Sequence, residues 1–381
     1  MGMDIDPFHA ISISKIAHAM KADGAKIIHM EFGQPSTGAP VAALAEAHEV
    51  LDRDALGYWE SVPLKQRIVR HYLETYGVEI TEDQLVITCG ASPALVAALA
   101  SAFNPGDRIA LARPGYVAYR NTIKALGMVP VEIDCGPQDN FQITAAHIEA
   151  IDPAPAGLIV ASPANPTGTI IPADGLRAIA ETCRARNIQI ISDEIYHGLS
   201  YTHDIHSMLE FAPEAMVINS FSKYFSMAGW RIGWLLSPPS HAVKADAYCG
   251  ILFLTAPSLA QHAALIAMDA SDELDSHVEN YRTNRQLLLD NLPKFGLTEI
   301  APPDGAFYIY ANIERHSADS MDLCKEILAD TGVVLAPGLD FDPVNGHRYI
   351  RISFAVSTAE TRDAIKKLGD WFASRPGLES S

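Results

Sequence analysis

Lys223 lies between two serines in the stretch Ser220-Phe221-Ser222-Lys223-Tyr224-Phe225-Ser226-Met227-Ala228-Gly229-Trp230-Arg231-Ile232-Gly233-Trp234, with Arg231 eight residues further on. A protonated amine is a weak nucleophile. Burial beside other cations lowers its pKa and lets it form a Schiff base with an aldehyde. The hydroxyls of Ser220 and Ser222 and the planar fork of Arg231 suit a phosphate. An aldehyde and a phosphate on one ligand point to pyridoxal phosphate.

Such a site needs a rigid frame, and the middle of the chain predicts one. Short β-rich runs at Gln84–Thr88, Arg108–Ala112, Val129–Ile133, Gly157–Ala161, Ile188–Ser192, Ala215–Asn219 and Arg231–Leu236 alternate with helical patterns such as Pro93–Phe103, Tyr116–Leu126 and Ala173–Arg186. Several runs are unbroken Val, Ile and Leu, as in strands buried on both faces. The expected fold class is α/β: a three-layer αβα large domain with a mostly parallel seven-stranded sheet, plus a smaller α+β domain built from both chain ends. An amphipathic helix is expected at Ser14–Ala22, a long charged helix at Leu274–Leu292, and strands near Ala306–Ala311 and Tyr349–Ser353. The expected division is an N-terminal arm and part of the small domain over 1–44, the large domain over 45–275, and the C-terminal small domain over 276–381. The cleft between the two domains is the default site.

The chain has 381 residues, 48% of them hydrophobic and 19% charged, which describes a globular protein with a sizeable core. A net charge of −18 argues against a nucleic-acid or anionic-membrane partner. Five widely spaced cysteines include no pair at zinc-ribbon or thioredoxin spacing, so reduced core thiols in a cytoplasmic protein are expected. The first residues lack a secretory pattern, Asp6 stands where a myristoylation pattern has Ser or Thr, and the longest apolar run, 94–103, is too short to span a bilayer.

The motifs taken together identify a family. The chain resembles the class I/II pyridoxal-phosphate-dependent aminotransferases of fold type I, from Phe32-Gly33-Gln34-Pro35 to Arg351-Ile352-Ser353-Phe354. Between these lie Asn165-Pro166-Thr167-Gly168, Asp193-Glu194-Ile195-Tyr196 and the Lys223 motif, in order. The resemblance implies that Lys223 holds the cofactor and moves the proton at the substrate Cα. It implies that Asp193 pairs with the pyridine nitrogen, and that Tyr196 and Asn165 reach the phenolic oxygen. Tyr116 matches the aromatic stacked on the ring. Gly90, Ala91 and Ser92 open a helix whose free N–H groups join Ser220, Ser222 and Arg231 around the phosphate. Arg351 matches the residue that grips the substrate carboxylate, with Asn165 and Gly33 beside it. Tyr58 matches a tyrosine that reaches the phosphate of a neighbouring subunit, which implies a homodimer with shared sites.

Val62 and Lys65 stand where the family often has glycine and arginine. No arginine is assigned to a distal substrate carboxylate, which tilts the expectation toward neutral amino acids. His197, His203 and His206 are expected to be loop histidines, and no metal is expected. The expected activity is transfer of an amino group from an L-amino acid to a 2-oxo acid by a ping-pong mechanism. The alternatives are a β-lyase of the cysteine-S-conjugate type and a catalytically inactive binding protein of the same fold.

Overall fold

The computed structural model describes residues 5–375. Residues 1–4 and 376–381, on which part of the leader reading and the outer limits of the expected domains fall, lie outside the described residues. The strands in chain order are β1 (Ile28–His29), β2 (Leu85–Thr88), β3 (Arg108–Arg113), β4 (Val129–Asp134), β5 (Gly157–Ala161), β6 (Gln189–Asp193), β7 (Met216–Ser220), β8 (Gly233–Leu236), β9 (Tyr308–Asn312), β10 (Val333–Val334), β11 (Ala336–Pro337) and β12 (Tyr349–Ser353).

Seven of them form one sheet in the order β2-β8-β7-β6-β5-β3-β4. Its central pairs are parallel, and β8 runs antiparallel to both neighbours. Successive side chains on a strand point to opposite faces. Leu158 and Val160 of β5 therefore enter one core with Ile190, Val217 and Trp234, while Ile159, Ile191, Ile218 and Leu235 enter another. Helix Ala173–Ala185 covers the first face through Leu176, Ile179 and Cys183. Helix Ala91–Ala102 covers the second through Ala94, Leu95 and Ala98. Burial on both faces explains the continuous apolar runs. The fold is α/β, with helices on either side of a mostly parallel sheet.

A three-stranded antiparallel sheet, β11-β12-β9, and the parallel pair β1-β10 lie beside this body. Their core gathers Ile13 and Ala17 from helix His9–Ala22 with Leu323 and Ile327 from Ser320–Thr331 and Leu368 and Phe372 from Thr358–Ala373. Helix Ser271–Leu289 places Leu274 in the large core and Tyr281 and Leu288 in the smaller one.

Some boundaries differ from the sequence expectation. The strand expected from Arg231 begins at Gly233, because Ala228–Trp230 is a 3-10 turn and Arg231 has φ 54°. The strand expected from Ala306 begins at Tyr308, after Ala306 at φ 54°. The helix expected to end at Leu292 ends at Leu289, and a 3-10 turn containing Pro293 follows. The first helix begins at His9, ahead of Ser14. Left-handed residues and prolines are local interruptions that apolar periodicity does not register.

Candidate active site

Parallel strands end at a common edge, and loops leaving that edge surround a crevice. A cavity of about 460 Å³ opens there, between the large sheet and the smaller one. Asp193 is the last residue of β6 and Ser220 the last of β7.

Lys223 follows β7 on a loop anchored by Phe221, which is fully buried against Trp234 and Phe225. Its amine donates to the Gly33 carbonyl and lies 5.7 Å from the Tyr196 ring centroid. Burial pushes the Lys223 pKa down to about 8, aided by Arg351 and Arg231 and opposed by Asp193.

Ala91, Ser92, Ser222 and Arg231 line the cavity together with Lys223. Ser220 Oγ donates to the Ile232 carbonyl at 2.9 Å and accepts from Ser222 N–H at 3.1 Å, which turns Ser222 to the cavity with Ser220 behind it. Helix Ala91–Ala102 has no side-chain cap on its first turn, so its leading N–H groups at Ala91 and Ser92 keep their donors. Gly90 precedes it at φ 94°, and a Cβ there would lie 2.6 Å from Arg231 Nη2. Glycine suits the positive φ and leaves the Arg231 guanidinium where it is. Arg231 itself is held by the Ala228 carbonyl at 2.9 Å.

Asp193 is buried and accepts from Tyr119 Oη at 2.5 Å and from Ile195 N–H at 3.1 Å. Burial raises its pKa, while these two bonds and Lys223 pull it down. Tyr116 meets Tyr119 edge to face at 5.5 Å. Tyr196 shares a 2.7 Å hydrogen bond with Tyr308. The sequence reading missed Tyr119 and Tyr308. Tyr119 had a signal: it lies three residues after Tyr116, and helical positions three apart share a face. Tyr308 had none, since its place depends on which strand faces the cleft.

Arg351, on β12, is 2% exposed. Its guanidinium lies between the rings of Tyr308 and Phe341, 4.4 and 4.6 Å from their centroids. It donates to Asn165 Oδ1 at 2.8 Å and to the Glu31 carbonyl. Its Nε is buried without a partner among the described residues. A buried charged donor left unpaired is costly, so the site suits an anion.

Gly33, Ala91, Ser92, Tyr116, Asn165 and Tyr196 line the same cavity. Gly90 and Ser220 stand directly behind its wall. Tyr58 does not reach it in this chain and is 84% exposed. Val62 begins helix Val62–Tyr76, and Lys65 pairs with Glu60 at 3.0 Å. Of the three histidines, His197 is buried rather than displayed on a polar loop: it meets Tyr76 Oη at 2.7 Å and the Ser162 carbonyl at 3.1 Å. No group of three or more potential metal ligands occurs among the described residues. No helix among them is long and apolar enough to cross a membrane.

A family model described as aminotransferase class I and II matches residues 25–368. A valine–pyruvate aminotransferase from Mycobacterium tuberculosis is 41% identical over 97% of both chains. A (5-formylfuran-3-yl)methyl phosphate transaminase from Methanocaldococcus jannaschii is 31% identical over 97% of this chain and 98% of its own. The crystal structure of an aminotransferase from Mycobacterium tuberculosis superimposes with a TM-score of 0.95, at 41% identity, covering 97% of this chain and 98% of that one. An aspartate aminotransferase from Thermus thermophilus with maleate gives 0.89 at 27% identity, covering 96% and 97%. This chain belongs to the class I and II aminotransferases, a family that uses pyridoxal phosphate, and is a transferase enzyme.

Two outcomes follow from the geometry. When pyridoxal phosphate is added to cofactor-free protein, the visible absorbance should develop at a rate that climbs with pH and levels off above about 8 if the neutral amine of Lys223 is the group that reacts. A rate flat from pH 6 to 9, or one retained in Lys223→Ala, contradicts this. Tyr119→Phe removes a hydrogen bond to a carboxylate, worth roughly 1.5–3 kcal/mol. It should push the Asp193 pKa further up and lower kcat ~10–100-fold with weaker cofactor retention on dialysis. Unchanged kcat and retention would detach Tyr119 from the chemistry.

Proposed function

We propose that this aminotransferase binds pyridoxal phosphate through Lys223 and moves the amino group of a neutral, apolar L-amino acid to a 2-oxo acid, as a homodimer in the cytoplasm. The observation that carries this reading is one cavity joining a half-buried lysine of lowered pKa, a buried carboxylate and a buried arginine with an unpaired nitrogen.

The residues present fit the cofactor. Ser222, Arg231 and the uncapped helix start at Ala91 and Ser92 offer donors for a phosphate, and the bare Cα of Gly90 leaves room for the Arg231 guanidinium. Pyridoxal phosphate, when bound, supplies the carbonyl carbon that takes the amino group and a ring that accepts the electron pair released at the substrate Cα. Asp193 is the group that would keep a ring nitrogen protonated, and the hydrogen bonds from Tyr119 and Ile195 N–H favour its charged form, opposing the burial that raises its pKa. Tyr196 and Asn165, which line the same cavity, would hydrogen-bond a phenolic oxygen, and Tyr116 would stack on the ring. Arg351 grips the substrate carboxylate and so fixes the Cα before Lys223. Lys223 then removes the Cα proton as a neutral base and returns it as an acid, a role that suits a pKa near working pH.

Support for an apolar donor comes from the cavity wall, whose cations Lys223, Arg231 and Arg351 all have other work. The 41% identical relative named for valine and pyruvate points the same way. Aminotransferase relatives favour transfer over the β-lyase alternative. Support for a dimer comes from Tyr58, Val62, Ile251 and Leu254, large apolar residues more than half exposed in the single chain. Buried free thiols at Cys135, Cys183, Cys249 and Cys324 suit a reducing compartment.

A panel of amino acids added singly to the coloured holoenzyme tests the donor: valine, alanine and leucine should bleach the visible band, and aspartate should do so far less. Release of pyruvate and ammonia from a β-substituted alanine without added oxo acid would favour the lyase. Tyr58→Phe should weaken cofactor retention, and mixing it with Lys223→Ala should raise turnover above either parent. Purely parental behaviour in the refolded mixture would remove Tyr58 from a shared site.

A further inference from the structure

The segment ahead of the first helix belongs to neither sheet, yet it lines the cavity. Phe8 is part of the wall. Two clamps hold the segment, one on each side of the cleft. At residue 6, Asp6 accepts from Arg120 Nε at 2.8 Å and Lys124 Nζ at 3.0 Å. Asn121 brackets the same residue, accepting from Asp6 N–H and donating to its carbonyl, both at 3.1 Å. These three residues lie on helix Val117–Ala125, which also gives Ala118, Tyr119 and Thr122 to the cavity. At residues 9 and 10, the N–H groups of His9 and Ala10 donate to the two oxygens of Asp340, at 2.6 and 2.8 Å. Asp340 is buried in the turn Gly338–Asp340, beside the smaller sheet. The strap is therefore tied to the large layer at one end and to the smaller unit at the other.

Phe8 sits between the clamps and packs against the cluster of Phe141, Tyr310 and Phe341. Phe341 is the ring 4.6 Å from the Arg351 guanidinium. Phe8 thus stands at the Arg351 end of the cavity. A substrate held there by its carboxylate, with its amine toward Lys223, must place its side chain close by. Phe8 and Phe32 give this cavity apolar wall beside the polar Gln34 and Thr122, and the cations in its described lining, Lys223, Arg231 and Arg351, already have roles in the reading above.

We propose that Phe8, carried on the strap Ile5–Ala10 between the Asp6 and Asp340 clamps, selects the substrate side chain by size and apolarity, favouring short aliphatic chains over aromatic ones. Asp6 and Asp340 are positioning residues. This rests on the transaminase reading above and adds to it the residue that discriminates.

The test compares kcat/KM for valine, phenylalanine and glutamate in the holoenzyme and its variants. Phe8→Ala should lower kcat/KM for valine ~10-fold, mostly through KM, and raise the phenylalanine-to-valine ratio ~10-fold or more, the range expected for reshaping a hydrophobic pocket. Phe8→Leu should fall between, and it keeps the test decisive if the alanine variant folds poorly. Asp6→Asn should move the ratio the same way and speed hydrogen exchange at the Phe8–Ile11 amides, and Asp6→Glu should restore both. A ratio within twofold of wild type in both Phe8 variants overturns the proposal while leaving the transaminase reading intact. If wild type transaminates no amino acid, the transaminase reading fails instead. Calorimetric binding of valine's oxo acid then decides for Phe8: equal affinity in wild type and Phe8→Ala overturns it.

Discussion

An ammonium group is poorly accommodated between two guanidinium groups in a pocket walled by tyrosine and phenylalanine. That constraint sets the character of this cavity. Lys223 lies near Arg351 and Arg231, and burial together with their charge pulls its pKa to about 8. The same chain elsewhere carries a net charge of −18. A cation-rich cleft in an acidic protein concentrates its field on small anions and draws them from solution. The proposed phosphate and carboxylate contacts would both draw on that one local field.

Keeping three cations there requires exact support from neutral groups. The Arg351 fork is sandwiched by two rings and oriented by a side-chain amide and a backbone carbonyl, so its direction is settled before any ligand arrives. Asp193, the one carboxylate among the described residues that line the cavity, is likewise constrained by Tyr119 and by the Ile195 amide. Ser220 and Ser222 support each other across 2.9 Å. Pre-organised dipoles of this sort stabilise charge without reorganising when it develops.

Much of the cavity wall was legible in the chain, because the chemistry-bearing residues fall in short motifs at strand ends. Asp193, Ser220 and Lys223 sit where parallel strands terminate, and continuous apolar runs announced those strands. What escaped reading were residues whose partners come from far along the chain. Tyr308 meets Tyr196 across 112 positions, and the segment that carries Phe8 into the wall is held by Asp340, some 330 residues away, and by Arg120, Asn121 and Lys124 around Asp6. His197 read as a loop histidine; its burial against Tyr76 depends on how helix Val62–Tyr76 packs beneath the strand edge.

Residue type and spacing alone determined that this is an α/β protein, with Lys223 and two serines close behind the end of a strand. Strand period, glycine placement and the serine–lysine–arginine spacing are local properties of the polymer. Only the tertiary structure decided which aromatic rings flank Arg351, which hydroxyl steadies Asp193, and that Phe8 and Arg351 line one cavity. Those outcomes depend on side-chain packing between separate elements, as where Tyr119 reaches Asp193 across 74 positions, and residue spacing along the chain does not specify it.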